Sequence, residues 1–232
     1  MNEQRGRVAR RSVFLALIAM AALVAVGAAL ANGTQARSAR DGSSEQQYRA
    51  LLLPVPHNEQ ADKGSTVLGI TRLEREEDRR MEVDLLATGL SPKLPHAIHI
   101  HGRKAAENEC PRAEARNDGS SMPGSKIDGL IDVIEGLPDY GPIIVSFTTS
   151  GDTSAASGLA LDRFPVASAA TAIDYERTIR VPRAVARNPE RFHIVIHGLD
   201  LNNNGRYDGR IGPLAGAPNE ATLPVACGEI RD

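Results

Sequence analysis

The chain has 232 residues, with 27 basic and 29 acidic side chains and a formal net charge of −2, a balance that lacks the basic excess a nucleic-acid partner requires. Aromatic residues make up only 3% and tryptophan is absent, so the core has to be built from Val, Ile, Leu and Ala, a usage that suits stacked sheets.

Val13 to Ala31 is an uninterrupted apolar run preceded by Arg5, Arg7, Arg10 and Arg11, which hold that end on the cytoplasmic side. Ala29, Leu30 and Ala31 put small residues where a signal peptidase cuts. Residues 1–31 therefore read as an export signal cleaved before Asn32, or as an uncleaved anchor, since the run approaches bilayer-spanning length. That anchor is the single route by which the chain would meet a membrane. Residues 32–47 are polar and rich in Gly, Ser, Gln and Arg, the composition of a flexible spacer. Residues 48–232 are the size of one domain, which would then be extracytoplasmic, secreted or membrane-anchored.

From Gly64 onward short β-like runs alternate with turn signals. Thr66, Leu68 and Ile70 share one parity, as do Met81, Val83 and Leu85, and the charged stretch Glu74 to Arg80 reads as the polar hairpin between them. Next comes the run Leu94 to Gly102, with His96, His99 and His101. Successive strand side chains point to opposite faces, so His99 and His101 would face one way and Ile98 and Ile100 the other. Two imidazoles on one face are a good start to a copper or zinc site. Two histidines on a half-solvated strand face are the plainer alternative.

Gly102 to Asp128 is polar and turn-rich, holds Cys110, and offers Glu107, Glu109, Glu114, Asp118 and Asp128 as oxygen ligands or ordinary loop carboxylates. Gly129–Ile134, Pro142–Thr148 and Ala172–Ile179 continue the strand pattern, and Arg183–Arg187, stopped by Pro189, is the one helix candidate. The alternating run Arg191–His197 ends in a further histidine. Serial short strands with Gly, Pro and Asp turns argue an all-β Greek-key sandwich or barrel.

Directly after His197, Asp200, Asn202, Asn204, Gly205 and Asp208 match the first half of a calcium loop. Ile211 stands at the twelfth position, where a glutamate belongs, so calcium competes with an Asx-rich turn that bonds its own backbone. Cys110 and Cys227 are the only two cysteines. In an exported chain they read as one disulfide, the alternative being two buried free thiols.

The ensemble of His99, His101, Cys110, His197 and the stretch Ala226-Cys227-Gly228-Glu229-Ile230 resembles the copper/zinc superoxide dismutases. There a His-x-His strand supplies two copper ligands, and a cysteine nine residues on is bonded to an Ala-Cys-Gly-x-Ile strand near the end. Another ligand closes a Val/Ile-rich strand between them. The resemblance covers roughly residues 48–232. It implies a Greek-key barrel, His99, His101 and His197 as copper ligands, a Cys110–Cys227 bridge, and His96 as a structural, non-ligating histidine. The run from Ala97 to Gly102 is also similar to the chordin-like CHRD modules, which are not known as enzymes by virtue of that fold.

The departures bear on activity. No histidine lies between His101 and His193, so the family's bridging and zinc positions are empty and a zinc site is not expected. Pro224 stands three residues before Cys227, where the family carries an arginine that guides superoxide. The first expectation is thus an exported copper-binding, dismutase-like domain with weak or no dismutase activity. A non-catalytic CHRD-like extracytoplasmic binding module, its macromolecular partner unspecified, comes second and a competent dismutase third. Whether His197 faces the His99/His101 pair discriminates the first two.

Overall fold

The alternation in Met81, Val83, Leu85 and Ala87 decides the inner face of the domain. In the computed structural model, which describes residues 46–57, 66–102, 109–116, 129–208 and 217–232, those four side chains are fully buried on strand β3 (Arg80–Thr88). The other strands are β1 (Gln47–Pro54), β2 (Leu68–Arg75), β4 (Ile98–His101), β5 (Ile143–Ser146), β6 (Ile173–Arg180), β7 (His193–His197) and β8 (Pro224–Glu229). All the ladders are antiparallel, and the strands run in the order β5-β4-β7-β8-β1-β2-β3-β6. The connections β3 to β4, β5 to β6 and β6 to β7 cross the sheet instead of joining neighbours, which is Greek-key connectivity. The domain is thus all-β, a single sheet curled into a half-barrel around Leu52, Leu73, Ile98, Ile100, Phe147, Ile194 and Ile196. Its end strands meet through side chains, with Tyr175 and Arg177 of β6 donating to the Thr148 carbonyl beyond β5.

One strand parity is the reverse of the apolar pattern. Leu68 is 51% exposed, while Gly69, Thr71 and Leu73 point inward. Register explains it: Gly69, Thr71 and Leu73 sit opposite Ala87, Leu85 and Val83, and directly opposed residues of an antiparallel pair share a face. The stronger pattern of β3 therefore sets the parity of its neighbour. The connection is shorter than the charge run implies, because β2 continues to Arg75 and the turn is Glu77–Arg79.

Gly129–Ile134 is not a strand. Asp132 caps helix α1 (Val133–Tyr140), accepting from the backbone N–H groups of Ile134 (2.7 Å) and Glu135 (3.1 Å), and the Glu135 carboxylate accepts from the Asp132 N–H (3.0 Å). This reciprocal capping box satisfies the free donors at the helix start and outweighs the β-branched composition of the first turn. Asp132→Ala is expected to cost about 1 kcal/mol, measured as a lower midpoint in urea unfolding. The predicted helix forms as α2 (Arg183–Arg187), and a further single turn, α3 (Asn219–Thr222), precedes β8.

Cys110 and Cys227 form a disulfide with 5.6 Å between Cα atoms. It ties the loop after β4 to the outer face of β8, where Val55, Ile131, Tyr140 and Val195 gather in a second, smaller core. No helix among the described residues is long and apolar enough to cross a membrane, and the export segment and most of the spacer lie outside those residues.

Candidate metal centre

Strand β4 is buried on both faces. Ile98 and Ile100 enter the main core, so His99 and His101 point to the opposite side. There α1 and the segments around Gly158 and Phe164 cover them: the His101 ring packs edge-on to Tyr140 at 4.7 Å and that of His99 to Phe164 at 5.3 Å. The two histidines are 2% and 3% exposed, so the half-solvated alternative does not hold. On β7, paired with β4, Ile194 and Ile196 likewise enter the core and His197 faces outward. Register shifts fall between Ile100 and His101 against β5 and between Ile196 and His197 against β8. Such bulges re-aim the side chain beside them.

The three imidazoles converge. One ring nitrogen of each lies within 4.8 Å of the other two, and the Nε2 atoms of His101 and His197 are 3.3 Å apart. The second nitrogen of every ring faces a backbone carbonyl: His99 Nε2 the Gly158 oxygen at 3.1 Å, His101 Nδ1 that of Gly141 at 2.8 Å, and His197 Nδ1 that of Thr222 at 2.8 Å. Gly141 ends α1 at a φ of 72°, a left-handed conformation that suits glycine.

A carbonyl can only accept, so each neutral ring carries its proton on the carbonyl side. That leaves His99 Nδ1, which has no hydrogen-bond partner, and the Nε2 atoms of His101 and His197 as lone pairs in one buried cluster. Lone pairs turned toward one another favour a cation between them. A proton is disfavoured: burial, then the neighbouring His197, pushes His101 down to about 3, burial pushes His197 down to about 4, and His99 lies well below the usual range for the same causes. A metal ion fits, because carbonyl-oriented neutral imidazoles are the usual form of histidine ligands. The chain therefore carries a buried three-histidine cluster able to hold a metal ion.

His96 stands outside the cluster, its Nδ1 3.0 Å from the His197 carbonyl and its Nε2 3.0 Å from that of Ser91. It thereby anchors the end of β7 to the approach to β4. His57, not singled out by any sequence motif, braces the segment leading into α1: its Nδ1 accepts from the Ile131 N–H at 3.0 Å and its Nε2 donates to the Pro224 carbonyl at 2.7 Å.

No family model matches the chain, and no curated protein does. Among solved structures, the clock protein EA4 aligns at a TM-score of 0.38 and 12% identity, covering 84% of this chain and 99% of that one. Superoxide dismutase 5 of Candida albicans, in its Cu(II) form, aligns at 0.33 and 13%, covering 80% and 91%. The likeness is distant. What the histidines can do follows from their own geometry.

The other expected oxygen ligands lie elsewhere. Asp200 accepts from the N–H groups of Asn204 (3.1 Å) and Gly205 (2.8 Å), and Asp208 from the side-chain amides of Asn202 (3.1 Å) and Asn204 (2.6 Å). This is the hydrogen bonding of an Asx-rich turn. Glu220 of α3 closes the loop, accepting from Leu201 (3.3 Å) and Asp208 (2.8 Å) N–H groups. Glu109 pairs with Arg112 on the surface at 2.9 Å, Glu114 lies in the turn Ala113–Arg116, and Glu107, Asp118 and Asp128 fall outside the described residues.

The depressed histidines make metal-free stability fall in acid. The unfolded chain takes up protons below the ordinary value of 6.5, whereas folded His101 and His197 resist until about 3 and 4. Stability is thus full above pH 6.5 and is lost as the pH falls through the window between these values and 6.5. At pH 5 each of the two should cost about 2 kcal/mol. Urea unfolding of the metal-free domain at pH 7 and pH 5 measures the difference, and equal midpoints would contradict neutral, buried histidines.

Proposed function

We propose that this domain is an exported copper-binding protein in which His99, His101 and His197 hold one ion, with superoxide dismutase activity weak or absent. The observation that carries it is the convergence of three lone pairs whose rings are each fixed by a backbone carbonyl. Neutral imidazoles suit copper, which also heads the affinity order of the divalent first-row metals. When bound, copper would supply one-electron redox chemistry. The chain's own residues hold the rings in one tautomer, and the apolar residues of α1 screen them from water. The side chain of His197, facing the His99/His101 pair, favours this reading over a CHRD-like binding module. The Cys110–Cys227 bridge supports an oxidising, extracytoplasmic setting. Titration with copper against a chelator of known affinity tests it, with about one ion per chain expected from a single three-ligand site.

Guidance of an anion is the feature missing for dismutation. Pro224 opens β8 where the resemblance places an arginine, and among the described residues none of the side chains lining the approach to the histidines is charged. Since guidance raises on-rates by about tenfold to a thousandfold and fades with salt, superoxide decay on the copper-loaded protein should be slow and nearly independent of ionic strength. Pulse radiolysis across a salt series measures it. A rate near the diffusion limit that drops steeply with salt would instead make the domain a competent dismutase.

A further inference from the structure

The histidines form one wall of a cavity of about 220 Å³. Its remaining walls are Val133, Ile134, Leu137 and Tyr140 of α1, with Pro142, Ile143, Leu159 and Leu161 among those opposite. The surface they present is almost wholly carbon. The two hydroxyls in the lining are already engaged, Tyr140 donating to the Val133 carbonyl at 3.3 Å and Thr222 to that of Asn219 at 3.0 Å. The inward ring nitrogens, among them the buried, unpartnered Nδ1 of His99, lie behind that carbon surface, turned toward one another.

We infer that this cavity binds a small uncharged, largely apolar molecule about the size of one six-membered ring, seated against its carbon walls. Size sets the body: an apolar cavity of about 150 Å³ is enough to admit benzene, so 220 Å³ admits a ring with a substituent. Chemistry sets the charge. An anion entering here would shed its water against carbon walls that, among the described residues, offer no arginine or lysine to receive it, a large cost. A neutral hydroxyl loses far less. A ligand of this class also explains why a site without an anion guide keeps an open, apolar approach. The assignment rests on the walls alone and goes beyond the copper reading.

The test uses ¹⁹F NMR titration of the folded domain, metal-free and loaded with Cu(I), with 4-fluorophenol as probe and 4-fluorobenzoate as the same ring bearing a charge. Saturable 4-fluorophenol binding is expected, with 4-fluorobenzoate weaker by roughly tenfold or more. Leu159→Trp, at a position 43% exposed at the mouth, should fill the cavity and abolish phenol binding while copper stoichiometry and the circular dichroism spectrum stay unchanged. Ile134→Glu, which puts a charge into the wall, should abolish phenol binding by a different route. Phenol binding that survives both substitutions, benzoate binding as tight as phenol, or no saturable phenol binding at all would overturn the assignment. Copper is scored separately. Phenol binding lost in both variants of a domain that takes up no copper would overturn the metal reading and leave the cavity assignment standing, whereas copper uptake without phenol binding would do the reverse.

Discussion

Replacing Cys110 and Cys227 together by Ser should destabilise the domain by about 5 kcal/mol, a third or more of the stability of a typical domain. The magnitude follows from the sequence separation of 117 residues closed by the bridge, because cutting it returns the entropy of a long loop to the unfolded chain. The folded state should suffer locally too. Cys227 lies in the small outer core with Val55, Ile131, Tyr140 and Val195, with Cys110 and Ala115 packed against it, and Tyr140 is the ring against which His101 rests. Loosening this corner should therefore weaken metal retention as well as stability. Urea unfolding of the wild type, with and without reductant, and of the double variant measures the first effect; copper competition at pH 7 measures the second. A double variant as stable as the bridged protein would mean that the loop after β4 is held by its own packing.

Replacing His101 by Ala should lower copper affinity by about a hundredfold or more, because deleting a ligand exceeds the roughly 10- to 100-fold typical of a lost outer-shell partner. His101 is the most consequential of the three. Its Nε2 is 3.3 Å from that of His197, its ring packs on Tyr140, and its removal reduces the two ligands of β4 to one. In the metal-free protein the same substitution removes a buried group that resists protonation, so the acid sensitivity of stability should shrink while copper binding is lost. Equal copper retention by wild type and His101→Ala in chelator competition would refute the three-histidine assignment. The paired readout separates a ligand from a merely packed histidine, which would affect stability alone.

Much of the fold is legible in the chain because period-two alternation is a local property. Met81 to Ala87 announces its buried face without reference to any neighbour, and one residue between His99 and His101 puts both imidazoles on one side. The helix Val133–Tyr140 was also open to reading, since Asp132 and Glu135 have the spacing of a capping box, but Ile131, Val133 and Ile134 resemble a strand more strongly than a helix start.

Other features exist only once distant segments meet. The parity of Leu68 and Ile70 is decided by register with β3. His197 joins His101 across 96 residues because β7 pairs with β4, and the carbonyls of Gly141, Gly158 and Thr222 that fix the three rings come from separate connections. The sequence by itself determined several of the strands, the two-histidine face and the two cysteines available to bridge, all of which depend on spacing along one backbone. Only the tertiary structure decided that three imidazoles share a dry pocket with their lone pairs inward, because desolvation and ring orientation depend on groups that chain order leaves far apart.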